Sequence, residues 1–481
     1  MAVRLRTLGT AEISGETTLS DEVLAELRTA FRGPLIGPDD DRYEKACVVQ
    51  NGMFRRSPGL IVRCTGTADV VDAVRLAREH DLLIAVRGGG HSIAGHSIHD
   101  GALLIDLSGM RSVTVDPALR TVRVQGGATW GDVDREAQLF GLAVPGGIVS
   151  STGVGGLTLG GGIGWLHRKY GLTCDNLRSA EVVTATGKVL RVDEDNHPEL
   201  LWGLRGGGGN FGIVTAFEFD AHPVGPVVWN GTAIYPAANA ERVLRFWRDW
   251  TTDLPDEITT RAVRWTTPTA PHLPPELHDQ DVLIIGALHA GGTADGERAL
   301  APMRRFGTPL VDLSGPTPYR AVQSMLDPFF PKGELLSYWK STYCRELDDA
   351  VLDLVLRSAL ERPHPRTMVH VPLLGGAAGR IPETATAFGD RSPQYMLSFD
   401  ANWTDAADTD RAVRWVRDVL AEAGAQPSAT GTYLNFSGEA VLDPGARMAA
   451  YGPNLERLGR LKATYDPENR FRLNNNIPPA S

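Results

Sequence analysis

The stretch VRGGGHSIAGHSIHDGALLIDLSGM, Val86–Met110, decides how the chain is read. It follows the apolar run LLIAV (Leu82 to Val86), a buried strand. Three successive glycines at such a strand exit can turn backbone N–H groups toward one anion, forming a nest suited to a pyrophosphate. Arg87, Gly88, Gly89, Gly90, His91 and Ser92 form the core of this loop. It is not a Walker loop, because the GK[ST] ending is absent, and it is not a GxGxxG fingerprint ahead of a helix. Upstream, LIVRC (Leu60 to Cys64) reads as a strand, and Thr67 is expected to cap a helix carrying Val70, Val74 and Ala77. Strand, helix and strand make a crossover unit. The short strand candidates LLIDL, SVTVD and TVRVQ follow, so the unit is α+β and lacks the repeated βαβ pattern of a dinucleotide fold.

Glycine dominates from Gly126 to Gly212, in TGVGGLTLGGGIG and RGGGGNFG. A linker is the plain alternative, but these glycines alternate with Val, Leu, Ile, Trp and Phe, which a solvated linker has little reason to carry. A loop system enclosing a ligand fits better, since glycine lets backbone approach a flat or charged group closely. From about Val228 the texture changes. Helix candidates stand at ERVLRFWRDW, GERALAPMRRF, DAVLDLVLRSAL and DRAVRWVRDVL, and strand candidates at DVLIIGALHA, RTMVHVPLLGG and QYMLSFDANW. In the last of these Tyr395, Leu397, Phe399, Ala401 and Trp403 share one face, and Met396, Ser398, Asp400 and Asn402 the other. The second face is either solvated or lines a pocket. The tail carries YLNF, a helix around NLERLGRLKATY, and FRLNNNIPP, where Phe471, Leu473 and Ile477 suggest packing.

Composition bounds the function. The chain has 481 residues, 42% hydrophobic and 22% charged, with a formal net charge of -10. This is ordinary globular composition, and the acidic balance points away from nucleic acid and from anionic membranes as partners. The opening stretch MAVRLRTLGTAEISGETTLSDEV lacks the apolar core of a secretory signal, and no run approaches the length of a membrane span. Four scattered cysteines, Cys47, Cys64, Cys174 and Cys344, lead us to expect a cytoplasmic chain with free thiols, export being the alternative.

Val86–Met110 resembles the flavin-attachment segment of the berberine-bridge-enzyme-like FAD-linked oxidases, of the wider vanillyl-alcohol-oxidase group. The likeness continues through GGIVSSTGVGGLTLGGGIGWLHRKYGLTCDNL and LLWGLRGGGGNFGIVTAFEF, and returns in YLNF and YDPENRFRLNNNIP. It implies an α+β fold: a PCMH-type FAD-binding domain of two α+β subdomains, its core at about 56–225, with an inserted substrate domain of antiparallel sheet covered by helices. The partition would be 1–227 for FAD, 228–429 for substrate, and 430–481 returning to the FAD region.

The same resemblance assigns roles. His91 matches the histidine bonded to the flavin 8α carbon; taken alone, a cap, a phosphate contact or a metal ligand would also suit it, although no compact metal-binding set accompanies it. Gly95, His96 and Ser97 complete its loop. Gly153, Gly155, Gly156, Gly160, Gly161 and Gly162, then Asp175 and Asn176, then Gly207, Gly208, Gly209, Asn210 and Phe211, match segments around the cofactor. Asn474 and Asn476 match the segment that closes on the flavin. Many relatives carry a second link through a cysteine where Val149 stands here, so a single covalent link is expected. Tyr433 and Asn435 stand where relatives have YxNY, with Phe436 replacing the second tyrosine. Tyr433 would act as a base or orient the substrate, needing a neighbouring cation or hydrogen bonds to lower its pKa, because burial alone raises it. Asp400 is a further candidate. The implied activity is oxidation of a small organic substrate, with dioxygen as acceptor; a dehydrogenase using another acceptor and a silent ligand-binding flavoprotein are the alternatives.

Overall fold

The computed structural model describes residues 3–8, 15–271, 273–439 and 444–480, so part of the opening stretch read above lies outside the described residues. Strands Leu60–Arg63 and Ile84–Arg87 both run parallel to Leu103–Asp106, which lies between them, and Leu35–Ile36 closes the sheet antiparallel to Leu60–Arg63. Helix Thr67–Glu79 forms the crossover, burying Val70, Val74 and Ala77. The expected Thr67 cap is not made. Gly66 takes the cap position without a side-chain bond, and Thr67 Oγ1 instead donates to Glu181 Oε1 at 2.6 Å.

A second sheet is antiparallel, with Val189–Val192, Leu177–Val183, Ile213–Asp220, Thr121–Gln125 and Val113–Asp116 as successive neighbours. The third and largest is an eight-stranded antiparallel sheet. Its central path runs Val227–Pro236, Asp281–His289, Ile258–Thr266, Met368–Pro372, Tyr395–Trp403 and Leu336–Cys344. Helices Ala240–Thr251, Asp349–Leu360 and Thr409–Gly424 cover one face of it. Their apolar stripes meet Leu397, Phe399, Ala401 and Trp403 in one core. All nine residues of Tyr395–Trp403 are buried, so its even-numbered face is turned inward rather than to solvent. The GERALAPMRRF segment divides into Thr293–Ala299 and Ala301–Arg305, with Pro302 in the first turn of the second. A proline lacks the N–H that a continuous helix would need there.

Helix Asn454–Tyr465 returns the chain to the first two sheets. Lys462, fully buried, donates to Asp466, to the Asn210 carbonyl and to the Phe471 carbonyl. Phe471 and Ile477 join the cores of those sheets. Among the described residues no helix is long and apolar enough to cross a membrane.

Candidate active site

A cavity of about 760 Å³ lies between the glycine-rich loops and the uncovered face of the large sheet. One wall is mainly backbone. Gly88, Gly89, Gly90, His91, Ser92, His96 and Ser97 line it from the loop after Ile84–Arg87, together with Gly153, Gly155, Gly156 and Gly160, then Gly208 and Gly209, then Asn474. Gly89 and Gly153 press backbone to backbone: a Cβ on Gly89 would come within 2.4 Å of the Gly153 nitrogen. At Gly156 and Gly209 a Cβ would meet no protein atom within 4 Å. No protein neighbour requires glycine at these two positions; the space that the missing side chains leave belongs to the cavity. Ser97 Oγ, Asn474 Oδ1 and the Tyr451 hydroxyl are buried in the same wall with no protein partner. Buried polar atoms are ordinarily satisfied, so open cradle and orphaned polar atoms together fit a large polar ligand with a flat part, as FAD is.

His91 sits in this wall with Nε2 2.9 Å from Ser151 Oγ and Nδ1 3.5 Å from Thr152 Oγ1. Burial, helped by the charge of Lys332, pushes its pKa down to about 4, so the ring is neutral at ordinary pH. A neutral imidazole keeps one ring nitrogen with a free-base lone pair, and each nitrogen here faces a hydroxyl able to donate or accept. Val149 lines the wall near it. Cys174 is fully buried elsewhere, with its sulfur beside Asp175.

Several residues named from the sequence stand behind the wall rather than in it. Arg87 forks onto its strand neighbour Asp106, 2.8 Å away, and donates to the Ala46 carbonyl, fixing the loop from outside. Asp175 accepts two bonds from Arg391 and one from the Leu172 amide. Asn176 donates to the Tyr170 and Leu172 carbonyls and meets His222. Asn210 ties Gly207 to Ile477, while Phe211 is core. Gly95 fits against the Phe54 ring, Gly161 against Phe388, Gly162 against Thr173, and Gly207 against the Gly203 carbonyl. Asn476 Oδ1 is buried without a partner and does not line the cavity. These residues shape the binding wall through other residues.

The opposite wall is made of side chains. Strand register sets Arg261, Val263 and Trp265 on one face of Ile258–Thr266, with His370 opposite Val263 and Asp400 opposite Met368. Alternation puts all of them, with Trp339 opposite Asp400, on the cavity side. His370 Nε2 lies 3.0 Å from Asp400 Oδ2, and Ser398 Oγ donates to Asp400 Oδ1 at 2.6 Å. The carboxylate therefore fixes the ring proton on Nε2, which leaves Nδ1 buried with no protein partner. Phe436 stands between this pair and Tyr433, with ring centroids 6.1 Å from His370 and 5.4 Å from Tyr433.

Tyr433 is fully enclosed. Asn435 Nδ2, the Ile163 amide and the Gly162 amide all donate to its hydroxyl oxygen, at 3.0, 3.1 and 3.2 Å. Burial outweighs these donors and pushes the phenol up to about 12. The hydrogen bonds that could lower the pKa are present, but burial dominates them. Arg261, His370, Ser151 and Trp165 were not singled out from the sequence. For His370 the available signal was a lone polar residue in the apolar strand MVHVP, whereas the strand of Arg261, ITTRAVRWT, carries several polar residues and gave no such signal.

Comparison with known proteins agrees with this geometry. Residues 58–193 match the FAD binding domain family, and residues 432–478 the berberine and berberine-like family. The FAD-linked oxidoreductase YgaK of Bacillus subtilis is 32% identical, the alignment covering 94% of this chain and 98% of that protein. (R)-6-hydroxynicotine oxidase of Paenarthrobacter nicotinovorans is 30% identical over 94% and 97% of the two chains. The crystal structure of 6-hydroxy-D-nicotine oxidase from Arthrobacter nicotinovorans superposes with a TM-score of 0.81 at 28% identity, covering 94% of this chain and 98% of that one. A chitooligosaccharide oxidase shares the fold, with a TM-score of 0.82 at 23% identity over 96% and 100% of the chains. A glycine-built cavity of this shape, and kinship along almost the whole length, make the chain a member of the berberine-bridge-enzyme-like FAD-linked oxidoreductases.

Proposed function

We propose that the chain is an FAD-dependent oxidase that carries its cofactor on one covalent bond, through His91, and oxidises a small organic donor. Residues 1–227 and 430–481 would serve the flavin and residues 228–429 the donor. Bound FAD supplies a two-electron acceptor that dioxygen returns to the oxidised form, yielding hydrogen peroxide. Overall, an alcohol donor would lose one C–H and one O–H hydrogen, and dioxygen would gain both.

The observation that carries this reading is that one cavity joins the backbone wall holding His91 to a side-chain wall holding an acid–base pair. The neutral imidazole of His91, braced by Ser151, has the lone pair that bond formation needs. Gly88 to Gly90, Gly153 to Gly156, Gly208 and Gly209 would hold the cofactor through backbone N–H groups. His370 would be the proton acceptor, with Asp400 behind it orienting the ring, as in the His–Asp arrangement of hydrolases. Tyr433, neutral near pH 7, would orient the donor oxygen, and Asn435 would hold Tyr433.

The test is spectroscopic. Denatured protein should keep its flavin fluorescence, the His91→Ala variant should release it, and peptide mass analysis should find no cysteinyl flavin. Anaerobic addition of a donor should bleach the flavin, and air should restore colour with formation of peroxide. Flavin retained by denatured His91→Ala, or slow recovery in air with rapid recovery on an artificial acceptor, would overturn the attachment and the oxidase reading respectively.

A further inference from the structure

We propose that Arg261 anchors a negatively charged group on the donor, a carboxylate or an ionised enol or phenol, borne on a flat apolar body. The inference rests on the oxidase reading for the word donor, but its evidence is independent of it.

Six arginines are buried among the described residues: Arg87, Arg168, Arg261, Arg264, Arg391 and Arg470. Five have partners for their charge. Arg87 pairs with Asp106, Arg264 with Asp281, Arg391 with Asp175 and Arg470 with Asp81 and Glu468, while Arg168 donates to three backbone carbonyls. Arg261 is 7% exposed, forms no ion pair, and its Nε is buried without any acceptor. It stands in the cavity wall.

A desolvated cation with no counter-ion is costly, and proteins seldom keep one unless something else supplies the charge. Burial draws the guanidinium down to about 10, which leaves it charged at neutral pH. Its guanidinium carbon lies 4.6 Å from the centroid of the Trp165 ring, a contact that offsets only part of the cost. The nearest influence of opposite sign is Asp400, whose oxygens are already taken by Ser398 and His370. The site is also built to admit a planar partner. Gly286 lies opposite Arg261 in the strand register, and a Cβ there would sit in ordinary van der Waals contact with Trp165 and Arg261, at 3.6 and 3.7 Å, so its absence leaves open space beside the pair. Trp265, Phe330, Trp339 and Phe436 supply apolar ring faces around the same space. A guanidinium fork placed over an indole matches a two-oxygen acid.

Benzoate and benzamide are suitable probes, because they share shape and differ in charge. Titration calorimetry of the flavin-loaded protein should show benzoate binding about ten- to hundredfold more tightly than benzamide. Arg261→Met should abolish that preference, and Arg261→Lys, with a point charge in place of the fork, should keep part of it. Equal affinities in the unaltered protein, no benzoate binding at millimolar concentration, or an unchanged preference in Arg261→Met would each overturn the proposal. If Arg261→Met fails to fold, the unaltered protein and Arg261→Lys decide: an undiminished preference in Arg261→Lys counts against the fork. The readout is binding, so it separates the two readings. Benzoate held through Arg261 with no donor ever bleaching the flavin would sink the oxidase reading alone. Neutral donors bleaching it, unopposed by benzoate, would sink the anion anchor alone.

Discussion

The two walls of the cavity are built on opposite principles. The wall formed by residues 88–97, 153–160 and 208–209 works largely by removing side chains, so that main chain borders the cavity and the loops at Gly89 and Gly153 touch one another. The facing wall works by placing side chains at alternate positions of four neighbouring strands, where Arg261, His370, Asp400 and Trp339 converge. On the proposed function the backbone wall would grip the cofactor. A side-chain wall can be rewritten one residue at a time without disturbing the sheet beneath it. Binding of the cofactor and choice of the substrate would then fall to different physical devices.

The sharpest way to break this contrast is to put a methyl group into the backbone wall. Gly89→Ala would set Cβ against backbone at 2.4 Å from the Gly153 nitrogen and 2.5 Å from its Cα, with no flexible atom to move aside. We expect protein that lacks the visible flavin spectrum, with folding itself impaired. Gly156→Ala is the informative companion: its Cβ meets no protein atom within 4 Å, so the chain should fold while flavin loading falls. Full flavin content in both variants would mean that the cradle is not where the cofactor lies.

On the side-chain wall, His370→Ala should leave flavin content intact and slow anaerobic flavin reduction about 10²–10⁴-fold, the usual reach of general base catalysis. Asp400→Asn should follow in the same direction. Tyr433→Phe should slow reduction less, since a phenol at about 12 is a poor resting base. Stopped-flow absorbance distinguishes these cases, and a larger loss in Tyr433→Phe than in His370→Ala would return the role of base to the tyrosine.

The smallest expected effect lies outside the cavity lining, where helix Trp130–Ala137 packs on helix Tyr319–Ser324. Asp134, in helix Trp130–Ala137, accepts from Gln323 of helix Tyr319–Ser324, and burial lifts its carboxyl to about 7. Asp134 Oδ1, Gln323 Oε1 and the Tyr319 hydroxyl are all buried without a partner. Between the ordinary aspartate value of 3.8 and about 7 the folded state holds a proton that the unfolded chain has released. Stability contributed by this neutral carboxyl is therefore lost as pH rises through that window. Asp134→Asn cannot ionise. At pH 8 it should be more stable than the unaltered protein by about 1–3 kcal/mol in denaturant titrations, and the gap should close near pH 4. A gap independent of pH would show that Asp134 is not held neutral.

Legibility in the sequence followed the same division. Backbone binding leaves a compositional trace, because only glycine supplies it, so most of the glycine wall and His91 could be named from the order of motifs. Asp175 and Asn176 show the limit of that reading: they share the motif's sequence but serve as a clamp behind it, bonded to Arg391 and to local carbonyls. Period-two alternation in Tyr395–Trp403 separated two faces, yet both are buried, one under helices and one over the cavity. Burial alone cannot tell these apart.

What the sequence determined by itself is the local chemistry: where the chain must turn, where it leaves backbone bare, which residues alternate along a strand, and which family it resembles. What only the tertiary structure decided is the company each side chain keeps. Arg261, His370 and Asp400 come from three strands spread over 140 residues of chain, and only strand register brings them to one face. The physical reason is that hydrogen-bond ladders fix neighbours by alignment between distant segments, whereas glycine's freedom is a property of the residue itself.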